Sequence, residues 1–361
     1  MSPRELIRVL VIDDSAFSRQ AITRMLKTSP LVEVVGVARD GEEALRKTLE
    51  LQPDLITLDL EMPRMDGFTF LRLVMGKRPT PVMVISGRAG EEDVFKALDL
   101  GAVDFIAKPT LRATPELQLI QEELIRKVHA LRDLRIEKVR ERIAAAPPVL
   151  SPRTSRTASV PSVVVIGSST GGPAALMQTF GAFSEAPSCA FLVAQHMPQG
   201  FTGGFAERLD RFTHFSVKEA AGGEEPARGC VLIAPGGSHL ELESLRGRIV
   251  TRIVAQGEGD KYTPSVNRLF ESAAKHFGSD LLSVVLTGMG DDGRRGVRAV
   301  KECGGMVIAE SEETAVIFGM PLQAIRTGVV DLVLPLSEIP TAIQSGLASG
   351  SGRDRRQREP V

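Results

Sequence analysis

Short runs of β-branched and other apolar residues alternate along this chain with longer amphipathic stretches. In the first third the apolar runs fall at 9–12, 33–38, 55–58, 81–85 and 103–106. Each is short enough for a strand, and the intervening segments repeat apolar positions at helical spacing. Alternating β and α of this length predicts a parallel sheet covered on both faces. The last helical pattern follows Thr114-Pro115 and places Leu117, Ile120, Leu124, Val128 and Leu131 on one face, extending toward Ile143. Pro147-Pro148 ends it, and the polar, basic segment 151–162 reads as a flexible tether. The alternation then resumes with a run from Ser162 that stops at Gly167, followed by Ser168-Ser169-Thr170-Gly171-Gly172-Pro173. Pro173 fits the first turn of a helix. Further apolar runs fall at 190–194, 230–234, 281–286 and 306–309. The pattern therefore predicts two α/β halves, divided as 1–125, a helical and then flexible linker over 126–161, 162–347, and a polar tail over 348–361.

Composition narrows this picture little. A chain of 361 residues holds two domain-sized cores, and a net charge of −1 gives no sign of nucleic-acid or membrane binding. Cys189, Cys230 and Cys303 are scattered and odd in number, which fits neither a disulfide framework nor a zinc site and suits a reducing, cytoplasmic setting. The N-terminus runs straight into a strand pattern without a signal-peptide core. No apolar run reaches the roughly 18 residues of a membrane span, so direct membrane insertion is not expected.

Chemistry enters at the strand ends, where sites of parallel sheets gather. The first strand of the N-terminal half ends in Asp13-Asp14, the third in Asp59 followed by Glu61-Met62-Pro63, the fourth in Ser86, and the fifth runs on to Lys108-Pro109. Three carboxylates converging on one edge call for a cation, and hard oxygen donors suit Mg²⁺. Lys108 and Ser86 supply a positive charge and a hydroxyl for a phosphoryl group. Any one of these aspartates resembles a helix cap, but the ordered set across four strand ends does not. Residues 8 to about 125 resemble the flavodoxin-like receiver domain of two-component response regulators. The resemblance implies Asp59 as phosphoacceptor and Mg²⁺ held by Asp13, Asp14, Asp59 and the backbone carbonyl of Glu61. It also implies Ser86, Phe105 and Lys108 as the switch residues, and a histidine kinase as phosphodonor.

In the C-terminal half, strand ends carry Ser169, His196 after Gln195, and the pair Asp291-Asp292. A nucleophile, a base and an orienting carboxylate are the three parts of a hydrolytic triad. Ser168 rivals Ser169, His239 rivals His196, and either aspartate fits. The glycines of Gly288-Met289-Gly290 allow a backbone N–H to face an oxyanion. The ordered series Gly167 to Gly172, Gln195-His196-Met197-Pro198, Gly200-Phe201-Thr202, Ile233 to Gly236, Pro264-Ser265-Val266, Leu286 to Gly293 and Phe318 to Pro321 resembles the chemotaxis receptor methylesterases, the CheB family. That resemblance covers about 162 to 347 and implies a Rossmann-like doubly wound domain. It assigns Ser169, His196 and Asp292 to the triad, with Met289 and Thr170 near the oxyanion.

The reaction so implied is hydrolysis of glutamate methyl esters on the cytoplasmic helices of methylated chemoreceptors. Deamidation of receptor glutamines is the second activity implied, with no cofactor for either. Phosphorylation of the receiver would relieve its cover over the esterase site. Asp291 departs from relatives that carry Asn there, and its added charge would alter the local pH response. Two alternatives stand beside this reading: a methylesterase paralogue serving a two-component pathway other than chemotaxis, and a non-enzymatic receiver-output regulator. The second half shows no helix-turn-helix pattern and no basic face, which disfavours a DNA-binding output.

Overall fold

The computed structural model describes residues 6–86, 91–108, 114–131 and 163–349. The expected extension of the linker helix toward Ile143, the tether and the C-terminal tail lie outside the described residues. The chain forms two compact units, Met1–Ala145 and Ala146–Val361.

The first unit is a five-stranded parallel sheet in the order β2-β1-β3-β4-β5, built from β1 (Ile7–Ile12), β2 (Val32–Ala38), β3 (Leu55–Leu58), β4 (Val82–Ser86) and β5 (Asp104–Ala107). This is the flavodoxin-like strand order. The helices are α1 (Ala16–Leu26), α2 (Gly41–Leu51), α3 (Gly67–Lys77), α4 (Glu91–Asp99) and α5 (Thr114–Leu131). Strands β1 and β3 are apolar almost throughout because both their faces are covered, and Val9, Leu10, Ile56 and Leu58 are fully buried. Three of the helices open on side-chain caps that the sequence supplies: Ser15, Asp40 and Asp66 each accept a backbone N–H from the first turn.

The second unit is a seven-stranded parallel sheet in the order β14-β13-β12-β6-β7-β9-β8. Its strands are β6 (Val163–Ser168), β7 (Ala190–Gln195), β8 (Ser216–Glu219), β9 (Cys230–Ile233), β12 (Leu281–Val285), β13 (Met306–Glu310) and β14 (Leu332–Leu334). The strand order reverses beside β6, which lies between β7 and β12. Such a reversal opens a crevice at the carboxyl ends of the flanking strands, where ligands of doubly wound sheets bind. The helices are α6 (Gly172–Gly181), α7 (Thr202–Phe212), α8 (Val266–Phe277), α9 (Arg294–Glu302), α10 (Met320–Ile325) and α11 (Ile339–Ser349). Phe180, Phe183, Phe191 and Phe215 form an edge-to-face aromatic cluster under one side of the sheet.

Beyond the expected strands, the structure adds the edge strands β8 and β14 and the antiparallel hairpin β10 (Ser238–Leu245) with β11 (Arg248–Ala255). The hairpin turns at Arg246 and Gly247, both at positive φ (51° and 81°), as the twist of a two-residue turn requires. Leu240 and Leu242 of β10 point into the core with α8 behind them. The local period is two, as a half-buried strand demands.

Candidate functional site

The first unit gathers its acids at the carboxyl edge of the sheet. One carboxylate oxygen each from Asp13, Asp14 and Asp59 lies within 4.8 Å of the others. Lys108 donates to Asp59 Oδ2 at 2.7 Å and sits 2.6 Å from Asp13 Oδ2. The second contact is an ion pair outside good hydrogen-bond geometry, and no other donor among the described residues reaches the buried Asp13 Oδ2. Burial pushes the Asp13 carboxyl above its ordinary value of 3.8, against the pull of Lys108. Burial also opposes the Lys108 ammonium, yet the two carboxylates hold its pKa above the ordinary lysine value.

An undonated carboxylate oxygen beside two further acids is what a hard divalent cation would satisfy. Asp14, Asp59, Glu61 and Lys108 all line one cavity of about 960 Å³. Ser86 closes β4, and its side chain lies outside the described residues. Phe105 is buried, and its carbonyl accepts a hydrogen bond from the buried Lys127 at 2.7 Å.

In the second unit the candidate residues stand on three adjacent strands. Ser168 and Gln195 are register partners of β6 and β7, so Ser169 and His196, one position further on, leave the sheet side by side. The His196 N–H donates to the Ser168 carbonyl at 3.0 Å. Gln195 ties the two loops together, accepting from the Ser168 hydroxyl at 2.6 Å and donating to the carbonyls of Ser169 and His196 at 2.9 and 3.0 Å. Ser168 is thus buried in a structural bond, and Ser169, 7% exposed, is the serine at the rim. The Ser169 N–H donates to the Thr287 carbonyl at 3.0 Å, joining the loop after β6 to the loop after β12. There, Gly288 lies so close that a Cβ on it would come within 2.8 Å of Ser169 Cβ. The Gly288 backbone accordingly packs directly against the serine. Thr170 is buried, and its carbonyl accepts the Thr287 hydroxyl at 3.0 Å.

Asp292, from the same loop, meets His196 Nε2 at 2.9 Å through Oδ2. It also accepts the N–H groups of Val266 (2.7 Å), Asn267 (2.9 Å) and Gly293 (3.1 Å) and the Ser265 hydroxyl (3.2 Å). Val266 and Asn267 open α8, so the carboxylate occupies a helix N-terminus whose dipole favours negative charge. Burial alone would raise its pKa. The bond and charge of His196, with these backbone donors, carry it below the ordinary 3.8. In return, Asn267 Oδ1 accepts the N–H groups of Arg295 and Gly296 at 2.9 and 2.8 Å, so α8 and α9 cap one another.

The other candidates meet different partners. His239 is fully buried, with Nε2 on Asp260 at 2.9 Å and Nδ1 accepting the Ser265 N–H at 3.1 Å. Both ring nitrogens are engaged, so it holds the approach to α8. Asp291 turns away from His196 to Lys261 and Tyr262, at 2.7 and 2.8 Å. Sequence reasoning did not single out Tyr262, whose ring stacks on His196, or Gln195 as the bridge between loops.

Residues 164–343 match the family model described as CheB methylesterase, and residues 9–118 match the response regulator receiver domain. A relative in Geobacter sulfurreducens, named protein-glutamate methylesterase/protein-glutamine glutaminase 3, is 50% identical, covering 93% of this chain and 96% of its own. Relatives bearing the same name, numbered 6 in Anaeromyxobacter dehalogenans and 1 in Myxococcus xanthus, are each 48% identical. The alignments cover 93% and 95% of this chain and 94% and 98% of theirs. The chain belongs to the CheB methylesterase family. Its receiver stands at the N-terminus, as the strand-end acids of the first unit lead one to expect. The CheB methylesterase match includes Ser169, His196 and Asp292. No helix among the described residues is long and apolar enough to cross a membrane.

Proposed function

We propose that this chain hydrolyses glutamate γ-methyl esters on chemoreceptor helices, and deamidates glutamine side chains there, through Ser169, His196 and Asp292. The observation that carries the reading is the His196–Asp292 pair, anchored on the N-terminus of α8 beside the serine loop of the neighbouring strand. Asp292 holds His196 through Nε2, which leaves Nδ1 as the nitrogen that takes the proton of Ser169. As the Ser169 oxygen bonds to the ester carbonyl carbon, that proton passes to His196 and then to departing methanol. Water, deprotonated by the same imidazole, cleaves the acyl-serine and releases the free carboxylate. For a glutamine side chain the leaving group is ammonia, and every other step is the same. The backbone at Met289 and Thr170 borders the position of the developing oxyanion.

The receiver supplies control. Asp59 is the proposed phosphoacceptor, with a histidine kinase as donor. Asp13, Asp14, Asp59 and the Glu61 carbonyl would hold Mg²⁺, which would supply charge neutralisation for an incoming phosphoryl group. Lys108 pairs with the same group, and Ser86 and Phe105 pass on the change. The division proposed is a receiver at 1–125, a connector at 126–161, the esterase at 162–347 and a tail from 348, in a cytoplasmic protein.

Treatment with a serine-reactive fluorophosphonate, followed by intact-mass and peptide analysis, is expected to label Ser169 alone and to abolish methanol release from methyl-labelled receptor. Labelling elsewhere, or undiminished methanol release from the labelled chain, contradicts the assignment.

A further inference from the structure

The chain contains a single tyrosine and no tryptophan. That tyrosine, Tyr262, lies flat against His196, with ring centroids 4.9 Å apart and 8° between the planes. Its hydroxyl is pinned from the far side, donating to Asp291 Oδ1 at 2.8 Å and facing the Asp291 N–H at 3.3 Å. Lys261 closes on the same carboxylate at 2.7 Å. Gly290 leaves the room for this arrangement, since a Cβ there would come within 2.2 Å of the tyrosine hydroxyl oxygen. The other end of the segment is fixed by His239, which holds Asp260 at 2.9 Å and the Ser265 N–H at 3.1 Å. A loop pinned at both ends thus presents one aromatic face to one imidazole, and the ester hydrolysis described above uses neither Tyr262 nor Asp291.

We infer that Tyr262 is a positioning residue for His196, orienting its ring and favouring the imidazolium that forms as Ser169 gives up its proton. The inference rests on His196 being the general base. Asp292 fixes one edge of the imidazole but leaves the tilt of the ring plane free; the stacked face removes that freedom. An aromatic face is electrostatically negative and attracts a cation placed over it. The groups facing His196 are then the Asp292 carboxylate at its edge and the Tyr262 ring over its plane. The charges of Asp291 and Lys261 oppose one another behind the tyrosine hydroxyl. This gives Asp291, whose charge a neighbour of the triad would otherwise feel, a role as anchor of the tyrosine.

The test uses the full chain, a peptide carrying a glutamate γ-methyl ester, and the emission of the sole tyrosine. Tyr262→Leu is expected to lower kcat about tenfold at unchanged KM and to displace the acid limb of kcat/KM toward lower pH. Tyr262→Phe, which keeps the ring face but loses the hydroxyl bond to Asp291, is expected to displace that limb less than Tyr262→Leu does. In the unmodified chain the tyrosine emission should change over the same pH range as the acid limb, and in His196→Gln that change should vanish. An unmoved limb in Tyr262→Leu overturns the inference, as does an equal displacement in Tyr262→Phe. So does tyrosine emission that is flat with pH or identical in His196→Gln. If Tyr262→Leu fails to fold, the emission comparison decides. Full activity in Ser169→Ala and His196→Gln would sink the catalytic reading and this inference together. Loss of activity in both, with the tyrosine results contrary, sinks this inference alone.

Discussion

Two buried aspartates, one in each unit, stand at the carboxyl edge of a parallel sheet and have opposite fates. Asp292 receives five donors from its own chain, two of them from the start of a helix, and its pKa lies below the ordinary value. Asp13 accepts the Ser15 N–H through one oxygen, has the other undirected beside Lys108, shares its pocket with two further acids, and has its pKa raised. Burying a carboxylate is costly unless donors or a cation meet it. Around Asp292 the fold meets that cost itself, so the carboxylate is held in place by its own chain. The receiver site meets it only in part, through the Lys108 ammonium and the Ser15 N–H, which leaves room for a cation. One arrangement suits a carboxylate held in one place, the other a carboxylate left open to an incoming cation.

The sharpest break of this comparison comes at the preorganised end. Ser169→Ala is expected to lower methyl-ester hydrolysis by about 10⁴-fold or more while leaving the circular dichroism spectrum unchanged. Asp292→Asn should cost somewhat less, about 10²- to 10⁴-fold, because the imidazole loses its fixed tautomer while its place in the loop is kept. The same substitution should cost about 1–3 kcal/mol of stability by urea unfolding, since several backbone donors lose a charged acceptor. If Asp292→Asn retained most of the turnover, the pair it forms with His196 would be structural, and the preorganised site would lie elsewhere.

At the responsive end, Asp59→Asn should abolish stimulation by a small-molecule phosphodonor and leave basal hydrolysis as it was. Chelation of divalent cations should do the same, removing phosphorylation and sparing hydrolysis. A fall in basal hydrolysis on chelation would show that the second unit also depends on a cation, and the contrast between the two aspartates would fail.

The two ends were unequally legible in the sequence. Asp13, Asp14, Asp59 and Lys108 could be placed because each ends a continuous apolar strand, and parallel topology then brings strand ends together. Ser169 and His196 follow in the same way from β6 and β7. What decides between His196 and His239, or between Asp292 and Asp291, is which polar partner each meets, and those partners come from loops. Ser265 and Val266 reach Asp292 only because α8 begins there, and Tyr262 reaches His196 only through a segment pinned by Asp291 and His239. No periodicity announces such contacts. The hairpin of β10 and β11 was legible in principle, since Leu240 and Leu242 alternate with Glu241 and Glu243. Its strands pair only with one another, however, outside the parallel order that organised the rest.

The smallest expected effect tests the comparison most directly, because it asks whether the two aspartates pull stability in opposite directions. With a folded pKa below the unfolded value of about 3.9, Asp292 contributes stability that is complete above that pH and is lost as pH falls through the folded pKa. Asp13 has its folded pKa above the unfolded value, so its ionisation opposes folding, and the penalty grows as pH rises from the unfolded value through the folded one. Asp13→Asn, measured by urea unfolding without divalent cations, should therefore be more stable than the unmodified chain at pH 7 and no more stable at pH 3. Adding Mg²⁺ should shrink the gain at pH 7 or reverse it, because the cation stabilises the unmodified receiver and not the variant. A destabilised Asp13→Asn at pH 7 without Mg²⁺ would mean that Lys108 already satisfies that carboxylate. The receiver pocket would then be as settled as the esterase site.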